Sequence, residues 1–142
     1  YPEFLDRHSG YCRAHAEAGF AADPALTVPA GPSEAEGRAA VAELARRGRE
    51  YDAIFAASDL AAIGAMHALQ ELGREVPGDV SVVGFDDLAA ASYARPPLTT
   101  VAQDAKAAGA ALVEALIARV EGCEASSRLL PVSLKVRGSS LS

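Results

Sequence analysis

The chain has few of the residues that build cross-linked or metal-bound proteins. Its 142 residues include 2 cysteines and 1 methionine, contain no tryptophan, and are 6% aromatic. Cys12 and Cys123 lie too far apart for a zinc cluster, and neither belongs to a Cys-x-x-Cys redox pair. The histidines His8, His15 and His67 have no acidic or cysteine partner at metal-binding spacing. We therefore expect two reduced thiols, no metal site and no cofactor.

Long apolar runs and an excess of positive charge are also missing. No apolar run approaches the ~20 residues that a bilayer-spanning helix needs. The chain carries 13 Lys and Arg against 19 Asp and Glu, a net charge of −6. This balance provides no basic surface to neutralise phosphates. We expect that this segment neither crosses a membrane nor binds DNA by itself.

The composition and the residue pattern are those of one α/β domain. With 50% hydrophobic and 23% charged residues, the chain can bury a core. Helical patterns alternate with short apolar strands, which predicts a parallel sheet. Ser33-x-x-Glu36 is a capping box that predicts a helix start. We also expect a short strand at Leu26-Thr-Val28, a helix that begins at Ser58 or Asp59, and a helix that Asp104 caps.

Two of the predicted strands end in polar residues. The run Val80-Ser-Val-Val-Gly-Phe-Asp-Asp87 has no alternation, as in a strand buried on both faces, and it ends in two carboxylates. The run Tyr51-Asp-Ala-Ile-Phe-Ala-Ala-Ser-Asp-Leu60 also ends in polar residues, just before a helix. Open parallel sheets bind their ligands at the carboxyl ends of their strands. The sequence therefore predicts a ligand site where these two strands end.

These two runs resemble the effector-binding core of the lac repressor/gal repressor (LacI/GalR) family of bacterial transcription regulators. The resemblance includes Ala57-Ser-Asp59, the segment from Val76 to Asp87, and Pro96-Pro-Leu-Thr-Thr-Val-Ala-Gln103. It extends to Arg7-His-Ser-Gly-Tyr11 and to Leu129-Leu-Pro-Val-Ser-Leu-Lys-Val-Arg137. The resemblance implies a partial effector-binding domain of the periplasmic-binding-protein-like (type I) α/β class.

The resemblance also implies how the domain is divided. Residues 1–97 would form most of a C-terminal lobe, residues 98–121 would cross into an N-terminal lobe, and residues 128–137 would form a closing strand. Most of one lobe and the first strand and helix of the other would be absent, which leaves apolar faces uncovered. Since the chain starts at Tyr1, within a helical pattern and without a Met, we expect that its natural N-terminus lies upstream.

Four residues are candidates for effector binding. Asp86 follows a buried strand, where a carboxylate can accept hydrogen bonds from neighbouring sugar hydroxyls; the alternative is that it caps the next turn. The resemblance implies that Arg7 holds ligand oxygens and bridges to Asp86, that Ser58 contacts the ligand, and that Gln103 reaches the cleft from the crossover. Arg7 and Gln103 could instead be exposed polar residues.

Three nearby residues receive other roles. Asp87 is expected to serve the loop, and Asp59 to cap a helix and fix the loop. Many family members carry an aromatic residue that stacks on the sugar, and here Pro32 stands in that place. A smaller or more polar effector than a stacked pyranose is therefore plausible.

The function expected from the resemblance is allosteric sensing without catalysis. A sugar or related metabolite would close two lobes and alter operator binding by a cytoplasmic homodimer. The dimer would form through the segments from Leu60 to Gln70 and from Leu88 to Tyr93. DNA would be bound only by a headpiece that this sequence does not contain.

Three other interpretations stay open. A periplasmic sugar receptor of a transporter shares the fold, but the Pro-Pro-Leu-Thr-Thr-Val crossover and the terminal Val-Arg-Gly-Ser are typical of the repressors. An enzyme could use Asp86 and Asp87 to bind magnesium, but the third acid and the strand-end lysine of such sites are missing, since Lys106 falls in a predicted helix. An inactive truncated fragment is the third.

Overall fold

A computed structural model describes residues 2–125 and 127–141 of the chain. Residue 1 of the predicted 1–97 segment therefore lies outside the described residues. From α2 onwards helices and strands alternate as the sequence predicts, and one short helix, α4, adds to the predicted elements. The elements are α1 (Pro2–Glu17), α2 (Glu34–Arg47), β1 (Ala53–Phe55), α3 (Asp59–Glu71), β2 (Ser81–Asp86), α4 (Ala89–Tyr93), β3 (Thr99–Gln103), α5 (Ala105–Val120) and β4 (Val132–Lys135).

The strands form one sheet in the order β1-β2-β3-β4. The first three are parallel, with Val83 of β2 opposite both Phe55 and Thr99, and β4 runs antiparallel to β3. This arrangement confirms the predicted α/β class with a mainly parallel sheet. The carboxyl ends of β1, β2 and β3 meet at one edge, where the candidate ligand site is expected.

Local chemistry sets the bounds of α2. Ser33 Oγ accepts a hydrogen bond from the Glu36 N–H at 3.3 Å, as the capping box predicts. The Glu36 carboxylate accepts from the Gly31 N–H at 3.0 Å and from the Ser33 hydroxyl at 2.6 Å. The helix ends at Gly48, whose φ of 62° lies in the left-handed region.

The core lies between α3 and the sheet. Leu69, Val80, Val82 and Leu98 are fully buried there, and Val41 joins them from α2. Two glycines allow α2 and α3 to approach closely. A Cβ at Gly37 would overlap the backbone of Ala61, and a Cβ at Gly64 would overlap the backbone of Glu34. The α2–α3 contact therefore depends on these two positions.

The strand predicted at residues 26–28 is wrong. A 3-10 helix covers Pro24–Leu26, where Asp23 accepts from the Ala25 N–H at 2.8 Å. The carbonyls of Ala25 and Thr27 accept from Arg47 Nη1, each at 3.0 Å, rather than from a neighbouring strand. A cavity of about 780 Å³ is lined by residues 26–31 on one side and by residues 53–57 on another. Local β propensity cannot form a strand without a paired backbone beside it.

Helix α5 and the segment around strand β4 carry much of the exposed apolar surface of the described chain. Asp104 caps α5 as predicted, since its carboxylate accepts from the Ala107 N–H at 2.8 Å. No residue of α5 is buried. Strand β3 (Thr99–Gln103) lies in the same sheet as the strands before it, and the assignment of residues 98–121 to a second lobe stays a prediction. The exposed apolar residues here are Leu112, Val113, Leu116, Ile117, Val120, Val132, Leu134 and Val136.

Candidate functional site

Three of the four predicted site residues meet at the carboxyl edge of the sheet. Asp86 is the last residue of β2, and Gln103 is the last residue of β3. Gln103 Nε2 donates to Asp86 Oδ1 at 2.7 Å. Arg7 Nη2, from α1, lies 3.6 Å from the same oxygen, and the side chains of Arg7 and Asp86 are 14% and 28% exposed. The structure thus places one carboxylate between two donors, in a position that solvent reaches.

Arg7 is held in place by contacts other than its ion pair. Its Nη1 donates to the carbonyl of Ala57, the residue before Ser58. Its guanidinium lies 3.8 Å from the centre of the Phe85 ring and 5.3 Å from that of Phe4. Stacking on an aromatic ring restricts the plane of the guanidinium fork. Arg7 is therefore a fixed part of the site and not a solvated helix residue.

Ser58, the fourth predicted site residue, stabilises the start of α3 at this edge. It is the N-cap of α3, where its buried Oγ accepts from the Ala61 N–H at 3.2 Å. Among the described residues, no hydrogen bond joins its side chain to Arg7, Asp86 or Gln103. A serine hydroxyl that accepts one bond keeps its own proton to donate. Ligand contact by Ser58 stays a prediction.

The expected cap role of Asp59 is corrected. Ser58 caps α3, and Asp59 is the first residue inside the helix. Asp59 is fully buried, and its Oδ2 accepts from the Leu88 N–H at 2.7 Å, while its Oδ1 accepts from the Thr100 hydroxyl. Burial raises the pKa of its carboxyl above the ordinary value, and these two hydrogen bonds oppose that rise. Asp59 does fix the loop that follows β2, as expected, but it does so through its hydrogen bond from the Leu88 N–H and not as a helix cap.

The Asp87 side chain stabilises the loop after β2, as the sequence suggests. Its Oδ1 accepts from Arg137 Nη2 at 2.6 Å, and Arg137 Nη1 also donates to the carbonyl of Leu98 at 2.9 Å. No role at this site was predicted from the sequence for Arg137, Thr100 or Phe85. The terminal Val-Arg-Gly-Ser is typical of the repressors, but a pair 50 residues apart in sequence leaves no local signal.

The site can recognise hydroxyl groups. A carboxylate accepts, a guanidinium donates, and a side-chain amide does both, which matches the neighbouring hydroxyls of a sugar. In residues 2–125 and 127–141 no group of three or more His, Cys, Asp or Glu side chains could hold a metal ion. No helix in these ranges is both long and apolar enough to cross a membrane.

Comparison with known protein families agrees with this geometry. A model of the family described as "periplasmic binding protein-like domain" matches residues 3–140. The chain belongs to this family. In a periplasmic binding protein-like domain, a polar cluster at the carboxyl edge of the sheet stands where open α/β sheets bind ligands.

Similar proteins are regulators of transcription. The chain is 45% identical over 96 residues to the HTH-type transcriptional regulator GalR of Escherichia coli K12, which covers 68% of this chain and 28% of GalR. It is 39% identical over 118 residues to the HTH-type transcriptional regulator CelR of Thermobifida fusca, 83% of this chain and 35% of CelR. The chain thus spans about a third of the length of these curated relatives.

Solved structures give the same result. The chain matches a complex titled "transcriptional regulator CelR-cellobiose complex" with a TM-score of 0.92 and 38% identity, over 96% of this chain and 42% of that one. It also matches a lac repressor dimer bound to operator and the anti-inducer ONPF, with a TM-score of 0.73 and 37% identity. This match covers 78% of this chain and 39% of that one. The resemblance to the LacI/GalR family is confirmed.

Proposed function

We propose that the chain is the sugar-sensing part of a DNA-binding transcription regulator. The observation that carries this proposal is the convergence of Arg7 and Gln103 on the Asp86 carboxylate at the sheet edge. The relatives support it, since they are named as regulators and one was solved with cellobiose. The ligand-binding residues are Arg7, Ser58, Asp86 and Gln103, and no step of catalysis is involved.

The sugar is held by exchange of hydrogen bonds. Asp86 accepts from two adjacent hydroxyls, and Arg7 donates to ring or hydroxyl oxygens from its fixed position. The Gln103 amide nitrogen carries two N–H groups, so it donates one to the sugar while the other stays on Asp86. Arg7 lies against the rings of Phe85 and Phe4. Pro32 stands where the family resemblance places an aromatic stacking residue. Recognition therefore depends on polar contacts, and small or highly hydroxylated sugars suit the site.

The response is carried by a cytoplasmic homodimer, whose DNA contacts belong to a headpiece outside this sequence. The exposure of the two predicted segments supports a smaller contact surface than the sequence suggests. Most of α3 is already buried within the chain, and between Leu60 and Gln70 only His67 and Gln70 are exposed. In the loop from Leu88 to Tyr93, Leu88 is 41% and Tyr93 is 78% exposed. The proposed dimer face is thus centred on Leu88 and Tyr93.

The test uses the full-length natural protein and DNA from upstream of its own gene. A panel that includes cellobiose, ribose and galactose is first screened by thermal shift, with sorbitol as the control. DNA affinity is then measured by fluorescence anisotropy at fixed salt, with and without the stabilising sugar. We expect a change of roughly 5–150-fold, the usual size of allosteric coupling. Sugar binding without any DNA binding would support a transport receptor instead.

A further inference from the structure

The turn after β2 has a backbone that its residues rarely adopt. The φ angle of Asp86 is 116° and that of Asp87 is 56°, although neither residue is glycine. Non-glycine residues persist in such conformations only where their surroundings impose them. Because this turn carries the Asp86 carboxylate, the groups that hold the turn also set the orientation of that carboxylate.

Three side chains hold the turn from beneath and beside it. The Leu88 N–H donates to Asp59 Oδ2 at 2.7 Å, and the Asp87 N–H donates to Thr100 Oγ1 at 3.4 Å. The Thr100 hydroxyl donates to Asp59 Oδ1, which joins the two anchors. Arg137 binds the Asp87 side chain from the other side. Two consecutive backbone N–H groups of the turn are therefore fixed by Asp59 and Thr100.

The position of Asp59 is costly, which indicates a role. Its carboxylate is fully buried, and burial is the main reason that its pKa is raised. A buried carboxylate needs hydrogen bonds, and both of its oxygens receive one. Gly84 leaves room for it, since a Cβ there would overlap the Asp59 carboxylate and the Leu98 side chain. An apolar residue of similar size would avoid this cost but could not anchor the turn.

We propose that Asp59 and Thr100 are positioning residues that hold the Asp86–Asp87 turn so that the Asp86 carboxylate faces Arg7 and Gln103. This inference rests on the proposed function in taking Asp86 as the ligand-binding carboxylate. The same Asp59 side chain joins the first turn of α3 to β3 and to Leu88, the N-cap of α4. A ligand that displaces the turn therefore acts directly on the start of α4.

The test needs no ligand. The ¹⁵N-labelled full-length protein is compared with its Thr100→Val, Asp59→Asn and Asp59→Ala variants by NMR, following the Gln103 side-chain amide, the Arg7 Nε–H and hydrogen exchange at Asp87 and Leu88. Ser139→Ala is the matched control. Ser139 is equally buried, and its Oγ accepts from the Thr99 N–H at 2.7 Å and donates to the Val82 carbonyl at 2.6 Å. Neither of these partners belongs to the turn.

Thr100→Val is expected to move the Gln103 amide and to speed exchange at Asp87 by about tenfold or more, as the loss of one hydrogen bond implies. Asp59→Ala should free Leu88 as well. Asp59→Asn keeps an oxygen that can accept from Leu88, so it should retain protection there. Ser139→Ala should lower thermal stability but leave the Gln103 amide unmoved.

Two results would overturn the proposal. In one, Thr100→Val leaves the Gln103 and Arg7 signals unchanged. In the other, Ser139→Ala moves them as much as Thr100→Val, so that any loss of a buried hydrogen bond has the same effect. If Asp59→Ala does not fold, the Thr100→Val and Asp59→Asn variants still test the proposal. Failure of the full-length protein to bind sugar would contradict the proposed function and leave this result standing.

Discussion

Gln103 and Asp86, 17 residues apart in sequence, are joined by a hydrogen bond of 2.7 Å across the ends of two neighbouring parallel strands. Arg7 approaches the same carboxylate oxygen. The carboxylate is thus held in place before any ligand arrives, and such preorganisation lowers the cost of ordering side chains on binding.

The close α2–α3 contact predicts a large difference between two helical glycines. Gly64→Ala would push a Cβ into the backbone of Glu34, so we expect a loss of about 1–3 kcal/mol in unfolding free energy, as for overpacked cores. A Cβ at Gly109 of α5 would meet no neighbouring atom within 4 Å, and Gly109→Ala should gain up to about 1 kcal/mol. Thermal unfolding of both variants measures this, and equal effects would contradict the packing described.

Features of the fold that are determined by neighbouring residues could be predicted from the sequence. Strand β2, the capping box at Ser33 and the cap at Asp104 have local signatures, and all three elements are present as predicted. The expected burial of β2 on both faces is not seen, because only Val82 and Gly84 of the strand are buried. Both Ser58 and Asp59 are residue types that cap helices, so the sequence could not decide which of them caps α3. The structure decides it, because Ser58 is the N-cap and Asp59 accepts from Leu88 and Thr100 instead.

Features that depend on distant partners could not be predicted. The pairing of Arg137 with Asp87 joins the end of the chain to the site. The segment at residues 26–28 has strand-like residues but no paired strand in the described chain, so its propensity did not decide its structure. Arg7, Asp86 and Gln103 were found because the family resemblance supplied the long-range information.

The buried Asp59 predicts a stability that depends on pH. Its folded pKa is raised, so its contribution is most favourable below its unfolded pKa and is lost as pH rises through the folded pKa. Asp59→Asn removes this dependence. The stability of the variant relative to the wild type should therefore be greatest at pH 7 and should fall as pH is lowered towards 4, measured by denaturant unfolding.

Glu43 provides a control of opposite sign. Hydrogen bonds from Arg46 and Arg47 lower its pKa to about 2, so the stability it contributes is present above its unfolded pKa and is lost as pH falls from about 4.5 towards 2. Glu43→Gln should show no change relative to the wild type between pH 7 and 5. If the stability of Asp59→Asn relative to the wild type stays constant from pH 7 down to 4, the raised pKa of Asp59 is contradicted.

The proposed dimer face predicts an effect of charge at Tyr93. Tyr93→Lys would bring two lysines together across a two-fold contact and should raise the dimer dissociation constant at least about tenfold. Phe20→Lys is the control, because Phe20 is similarly exposed at 68% and lies outside that face. Sedimentation equilibrium of the full-length protein measures both. An unchanged dimer in Tyr93→Lys would place the interface elsewhere.

The most direct test of the account is calorimetric titration of the sugar that stabilises the protein most, with cellobiose as the first probe, into the wild type, Asp86→Ala and Asp6→Ala. Asp6 is an exposed neighbour of Arg7 on α1 and controls for the loss of one negative charge. The account predicts that Asp86→Ala weakens binding by roughly 30-fold or more, about 2 kcal/mol, because paired hydrogen bonds are lost. Asp6→Ala should bind as the wild type does. Equal affinity of Asp86→Ala and wild type would contradict the assignment of the site.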